Sequence, residues 1–231
     1  MSIEHSQKIR TNSNGQPATC LVTGATGYIG GRLVRELLIA GYKVKVLARF
    51  PDRLRDMAWI DQVEVISGDA LNISDVNRAM QNVDVAYYLL HALNQGPEFV
   101  DIETKMAQLF AESAKNNNVQ KIIYLGGLIP KQVLSQHLES RKVTGEILRN
   151  SGVPTIELRA GVVIGSGSAS FEMLRYLTER LPIMTTPKWV KNRIQPIAVR
   201  DLLRYLIGGA SLPEDVGGVY DISGPDIFSY A

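Results

Sequence analysis

From Ala18 onward the chain alternates short apolar runs with longer stretches in which apolar residues recur every three or four positions. The apolar runs are "ATCLVTG", "KVKVLAR", "VEVISGD", "VDVAYYLLH", "KIIYLGG" and "TIELRAGVVIG". Their Val and Ile content suits strands covered on both faces. Between them, "YIGGRLVRELLIA", "EFVDIETKMAQLFAESAKNNN" and "HLESRKVTGEIL" carry the spacing of amphipathic helices. Strands alternating with helices of this size predict βαβ units and a parallel sheet. Right-handed crossovers then make a doubly wound α/β sheet the expected architecture.

The pattern changes after Gly165. "GSGSASFEMLRYLTERLP" opens as a Gly/Ser loop and continues as a helix, and "IMTTPKWVKNRIQP" is irregular and basic. "IAVRDLLRYLIGGA" predicts another helix and "GGVYDIS" a last strand. Residues after about 165 are therefore expected to form a small C-terminal, substrate-side region of a single domain spanning 18–231. Residues 1–17 read as a disordered polar leader. The chain stops at "GPDIFSYA", directly after the last expected strand, so a fragment of a longer chain, with a further domain beyond residue 231, is expected.

Composition narrows the partners more than the fold. The 231 residues are 45% hydrophobic and 21% charged, which fits a globular protein with a full core. A net charge of +2 is too small to point to nucleic acid or a membrane surface. Cys20 is the only cysteine, so neither a disulfide framework nor a zinc cluster can be built. The N-terminus lacks the apolar core of a secretory signal, which makes a cytoplasmic location the default expectation. The partner expected is a small-molecule substrate that the residues do not identify.

Candidate chemistry begins at "VTGATGYIGGRL", residues 22–33, which holds four glycines. Glycine inside an element costs roughly 0.5–1 kcal/mol relative to alanine, so a cluster needs a reason. Gly24, Ala25, Thr26, Gly27, Tyr28, Ile29 and Gly30 form a G-x-x-G-x-x-G run between an expected strand and an expected helix. In that context the first glycine takes a tight turn and the second lets a pyrophosphate approach the backbone. The third packs the helix on the sheet, and the helix N-terminus favours the anion. The fold class this implies is a Rossmann-type doubly wound parallel sheet. The alternative is a tight strand-to-helix turn that holds no ligand.

The second expected strand ends in Arg49, with Arg53 one turn later and no acidic residue at its tip. An arginine there accommodates the 2′-phosphate of NADP, whereas an acid would bind the ribose 2′-hydroxyl of NAD. NADP is the expected cofactor, NAD the alternative, and both arginines can equally be solvated surface cations. Asp69 in "SGDALN", followed by Ala70, stands where its carboxylate can accept from an adenine amino group, or simply makes a turn. Leu90 and His91 end the fourth apolar run near the carboxyl edge of the sheet, and Gly126 ends the fifth.

"VTGATGYIGGRL", "GDALN", "VDVAYYLLHAL", "KIIYLGGL" and "LRAGVVIGSGSASFEMLRYL" follow one another in order. With these motifs the chain resembles the atypical, extended-like short-chain dehydrogenases/reductases, related to NAD-dependent epimerase/dehydratases and NmrA-like proteins, over residues 18–229. The resemblance implies an NAD(P)H-binding oxidoreductase. Active members carry a Ser or Thr at the end of the fifth strand and a Tyr-x-x-x-Lys in the next helix. Here Gly126 and Gly127 replace the hydroxyl, and alignment through Ser140 places His137 at the tyrosine and Arg141 at the lysine. His137, Arg141 and His91 are thus the candidate catalytic residues. The competing readings are a surface pair on an amphipathic helix and, for the protein, a non-catalytic NAD(P)H-binding module with a redox-sensing or regulatory role. The resemblance also makes Arg159 structural. The "GSGSAS" loop is either a cover for the nicotinamide end or an ordinary loop, and Trp59 and Trp189 are expected to pack.

Overall fold

The computed structural model describes residues 9–91, 98–130, 134–168, 172 and 193–229. Its first half runs β1 (Thr19–Thr23), α1 (Tyr28–Ile39), β2 (Lys43–Ala48), β3 (Glu64–Ser67), α2 (Ile73–Met80) and β4 (Val85–Tyr88). Then follow α3 (Phe99–Asn116), β5 (Lys121–Gly127), α4 (Gln136–Arg149) and β6 (Thr155–Ala160). The remaining elements are β7 (Val163–Ile164), β8 (Arg193–Ile194), β9 (Ile197–Ala198), α5 (Val199–Ser211), β10 (Gly218–Ile222) and β11 (Phe228–Ser229).

Seven strands pair in parallel in the order β10-β6-β5-β4-β1-β2-β3, the doubly wound sheet that the alternating pattern predicts. Side chains leave successive strand residues on opposite faces, and both faces are filled. Cys20, Val22, Val85, Tyr87 and Ile123 pack with Leu33 and Leu37 of α1 and Leu202 and Leu206 of α5. Leu21, Ala86, Tyr88, Ile122 and Tyr124 pack with Met80 of α2, Phe110 of α3 and Leu148 of α4. Strand order reverses between β1 and β4, which opens a crevice at their carboxyl ends, where open α/β sheets bind ligands.

Two sequence expectations change. "TIELRAGVVIG" is not one strand: β6 ends at Ala160, and Val163–Ile164 pair instead with Ile197–Ala198 of β9. The break lies at Gly161, where an added Cβ would stand 2.7 Å from the Gln195 carbonyl oxygen. The backbone of the segment before β9 crosses at that point and leaves no room for a continuing strand. The leader expected over 1–17 is described from residue 9, and there it is pinned down. Arg10 donates to the Gln120 side-chain carbonyl at 2.8 and 3.1 Å and pairs with Glu214 at 2.8 Å. Thr11 bridges Pro17, closing a small turn. Trp59 is buried, donating to the Gly31 carbonyl at 3.1 Å, whereas Trp189 lies outside the described residues.

Lys121 opens β5 at the edge opposite the crevice. It is fully buried, and its ammonium donates to the carbonyls of Leu212, at 3.1 Å, and Pro213. Hydrogen bonds from a charged donor are worth about 1.5–3 kcal/mol, and Met at this position loses both. Lys121→Met is expected to lower the free energy of unfolding by about 1–3 kcal/mol in urea titration, with cofactor affinity unchanged.

Candidate functional site

The glycine run forms the loop between β1 and α1. Gly24 has a φ of +74°, and a Cβ there would stand 2.7 Å from the Leu89 carbonyl oxygen across the crevice. A Cβ on Gly30 would come within 2.2 Å of the Gly24 carbonyl oxygen, so only glycine lets the loop lie flat on the helix. Gly27 is the N-cap of α1, with no side-chain cap and no acid in the first turn. The first N–H groups of the helix therefore have neither an intrahelical partner nor a side-chain cap, and the dipole adds partial positive charge.

Gly24, Gly27, Tyr28, Ile29 and Gly30 line a cavity of about 980 Å³ that continues past Leu89, His91, Gly126 and Gly127 to His137, Arg141, Val162 and Gln195. The hydroxyl of Tyr28 is buried there without a hydrogen-bond partner. Backbone donors, space that any Cβ would fill and an orphaned hydroxyl are what a dinucleotide pyrophosphate needs. These residues fit a nicotinamide dinucleotide.

The other cofactor candidates lie outside this cavity. Ala25 is packed in the core, and Leu90 packs on the α2/α3 face while its neighbour Leu89 lines the cavity. Thr26 and Ala70 are also absent from the cavity wall. Arg49, Arg53 and Asp69 gather at the tips of β2 and β3. Arg49 stands 3.8 Å from the Asp69 carboxylate, both groups well exposed, and its guanidinium is 4.9 Å from the Phe50 ring centre. Arg53 reaches the same ring at 5.1 Å. Asp69 also accepts from the Leu71 amide at 2.9 Å, the turn contact that was the alternative to its adenine role. Phe50, 49% exposed between two guanidiniums, escaped the sequence reading; an aromatic just before Pro51 at a strand tip was the available signal.

On the far side, Ser135 caps α4 through the Leu138 amide. The i, i+4 spacing turns His137 and Arg141 together into the cavity. Ser140, between them in sequence, faces away and donates to the buried carboxylate of Glu103 on α3. Arg141 donates to the Leu125 carbonyl at 3.1 Å, and its own carbonyl accepts from Tyr124 at 3.0 Å. Burial, and then the Arg141 charge, pull the His137 imidazole below the ordinary histidine range. The same two causes lower His91 to about 4, with Glu103 opposing. Both rings are therefore neutral near pH 7, and His137 Nδ1 is buried without a partner.

The end of β5 carries no hydroxyl. A Cβ on Gly126 would meet Tyr124 and Glu157 at 3.2 and 3.3 Å, and one on Gly127 would meet the flexible Leu138 side chain at 3.3 Å. Glu157 is buried between Arg149 and Arg159, the latter at 2.7 Å, which gives Arg159 a structural ion pair. The described part of the "GSGSAS" loop lies against α1. Arg32 stacks 3.8 Å over the Tyr28 ring and donates to the Ser166 carbonyl at 3.0 Å, while Ser168 lines the cavity. Arg32 was not legible as a site residue, because its partner is far away in sequence. No helix among the described residues is long and apolar enough to cross a membrane.

The family profile described as NAD(P)H-binding matches residues 24–164. The chain is 24% identical over 229 residues to "NADH dehydrogenase [ubiquinone] 1 alpha subcomplex subunit 9, mitochondrial" of Dictyostelium discoideum, covering 96% of this chain and 63% of that protein. It is 24% identical over 208 residues to a ceramide reductase of Caulobacter vibrioides, covering 87% of this chain and 63% of that one. The chain thus spans less than two thirds of the length of these relatives. Among solved structures, the Bordetella bronchiseptica enzyme WbmG in complex with NAD matches with a TM-score of 0.76 at 18% identity, over 94% of this chain and 76% of that one. Glycine loop and family profile agree: the chain belongs to the NAD(P)H-binding family.

Proposed function

We propose that the protein is an NADP(H)-dependent oxidoreductase in which His137 and Arg141 stand in for the missing tyrosine and lysine. The observation that carries this reading is their shared cavity with the glycine loop. When bound, the nicotinamide ring supplies the acceptor or donor of a hydride. Gly24 to Gly30 and the start of α1 hold its pyrophosphate, and Arg49 and Arg53 meet the 2′-phosphate. Neutral His137 takes the proton from a substrate hydroxyl during oxidation. Burial and then the Arg141 charge keep that imidazole unprotonated, Arg141 orients the nicotinamide ribose, and His91 donates a hydrogen bond to the substrate oxygen. The relative named as a ceramide reductase is in keeping with this assignment.

His137→Ala is expected to lower kcat for alcohol oxidation by about 10²–10⁴-fold, with NADPH affinity intact by fluorescence titration. A base acts in its unprotonated form, and the pKa of His137 lies below the ordinary value of 6.5. The rate of oxidation in the wild type should therefore fall in acid with a midpoint below 6.5. A fall centred at or above the ordinary histidine range would contradict the assignment.

One observation favours a second reading. The fifth strand ends in two glycines with no hydroxyl for a substrate carbonyl, which suits a non-catalytic NAD(P)H-binding module; the Dictyostelium relative is named as a subunit of a larger assembly. Turnover that depends on His137 would eliminate it. Tight NADPH binding with no turnover on any carbonyl or alcohol would establish it.

A further inference from the structure

The wall beyond the glycine loop is built to reject polar ligands. Leu128, Ile129, Pro130, Leu138, Val162 and Ile194 line it, and among the described lining residues there is no Asp, Glu or Lys. Three polar side chains that reach this wall make hydrogen bonds within the protein. Gln195 donates to the Gly224 carbonyl at 2.8 Å, Ser168 to the Val163 carbonyl at 3.1 Å and Arg141 to the Leu125 carbonyl at 3.1 Å. Arg193 sits at the exposed rim. Beyond the cofactor contacts proposed for Tyr28 and Arg141, what remains is His91 at the exposed edge and the His137 imidazole, enough for one oxygen atom. A sugar would bring a hydroxyl on nearly every carbon into this wall, and each hydroxyl buried without a partner is penalised.

We infer that this cavity takes an apolar secondary alcohol or its ketone, with one oxygen between His91 and His137 and a hydrocarbon body against the Leu128–Pro130 and Val162 wall. This inference rests on the oxidoreductase reading, because it assigns the substrate class of the same site. It places the protein among reactions on hydrocarbon-rich carbinols rather than on nucleotide sugars.

The test is calorimetric titration of the full chain, with and without NADP⁺, using the ketones from 2-hexanone to 2-decanone and UDP-glucose as the polar probe. Burying each methylene is expected to tighten binding by up to about fourfold. Leu128→Gln, or Ile129→Gln should the first fail to fold, is expected to weaken 2-decanone binding by about tenfold and 2-hexanone binding less. Affinities independent of chain length, or tighter binding of UDP-glucose than of 2-decanone, would overturn the inference. A parallel NADPH titration separates the two readings. Length-dependent ketone binding without NADPH binding keeps the apolar site and sinks the oxidoreductase reading. NADPH binding without length dependence does the reverse.

Discussion

Gly30→Ala is expected to weaken NADPH binding by about a hundredfold or more, roughly 2.7 kcal/mol, and to lower stability by about 1–3 kcal/mol. No other single methyl group in the glycine run meets so close a neighbour. Its Cβ would lie 2.2 Å from the Gly24 carbonyl oxygen, 2.7 Å from the Gly24 carbonyl carbon and 2.9 Å from the Ala25 Cα. All three atoms are backbone, so no rotamer change relieves the clash. Either α1 moves off the sheet or the loop lifts from the helix N-terminus. Lifting the loop displaces the donors proposed to hold the pyrophosphate, and it also disturbs Gly24, whose φ of +74° already sets the turn. Fluorescence titration and thermal unfolding on the same preparation measure the two effects. Wild-type affinity in a folded Gly30→Ala protein would show that the cofactor does not use this loop.

The sequence carried this part of the account because a tight turn writes itself into neighbouring residues. Glycine spacing, the end of the flanking strand and the start of the helix lie within twelve consecutive positions, and the i, i+4 relation of His137 and Arg141 is equally local. What escaped depends on chain segments far apart in sequence. The Arg10–Gln120 contact joins residues 110 apart, and Arg32 meets Ser166 across 134. Nothing local in "QKIRTNSNG" distinguishes an anchored turn from a free leader. The break between β6 and β7 was hidden for the same reason: Gly161 looks like one more small residue in an apolar run until the Gln195 backbone is seen against it. The pairing at the tips of β2 and β3 was not legible either. Arg49 and Asp69 were placed at one end of the site, but as separate contacts rather than as partners beside an exposed Phe50.

That pairing shapes the second large effect. The Arg49–Asp69 contact is long, at 3.8 Å, and exposed on both sides, so it contributes little to stability and leaves the guanidinium available to a stronger anion. A 2′-phosphate carries more charge than one carboxylate and accepts hydrogen bonds from the planar guanidinium. Charge-assisted bonds of this kind are worth roughly 1.5–3 kcal/mol, about one to two powers of ten in affinity. The wild type should accordingly prefer NADPH to NADH by that factor. Arg49→Glu places a second carboxylate beside Asp69, repels the phosphate and offers an acceptor to a ribose hydroxyl. The preference should then vanish or invert, with little change in folding because the site is on the surface.

The measurement that tests the account most directly is therefore a nicotinamide fluorescence titration of the wild type and Arg49→Glu with NADPH and NADH. The account predicts NADPH binding in the wild type, about ten- to hundredfold tighter than NADH, with the preference lost or reversed in the variant. Failure of both nucleotides to bind the folded wild type would contradict it, leaving the glycine run as a tight turn and the cavity without its proposed cofactor.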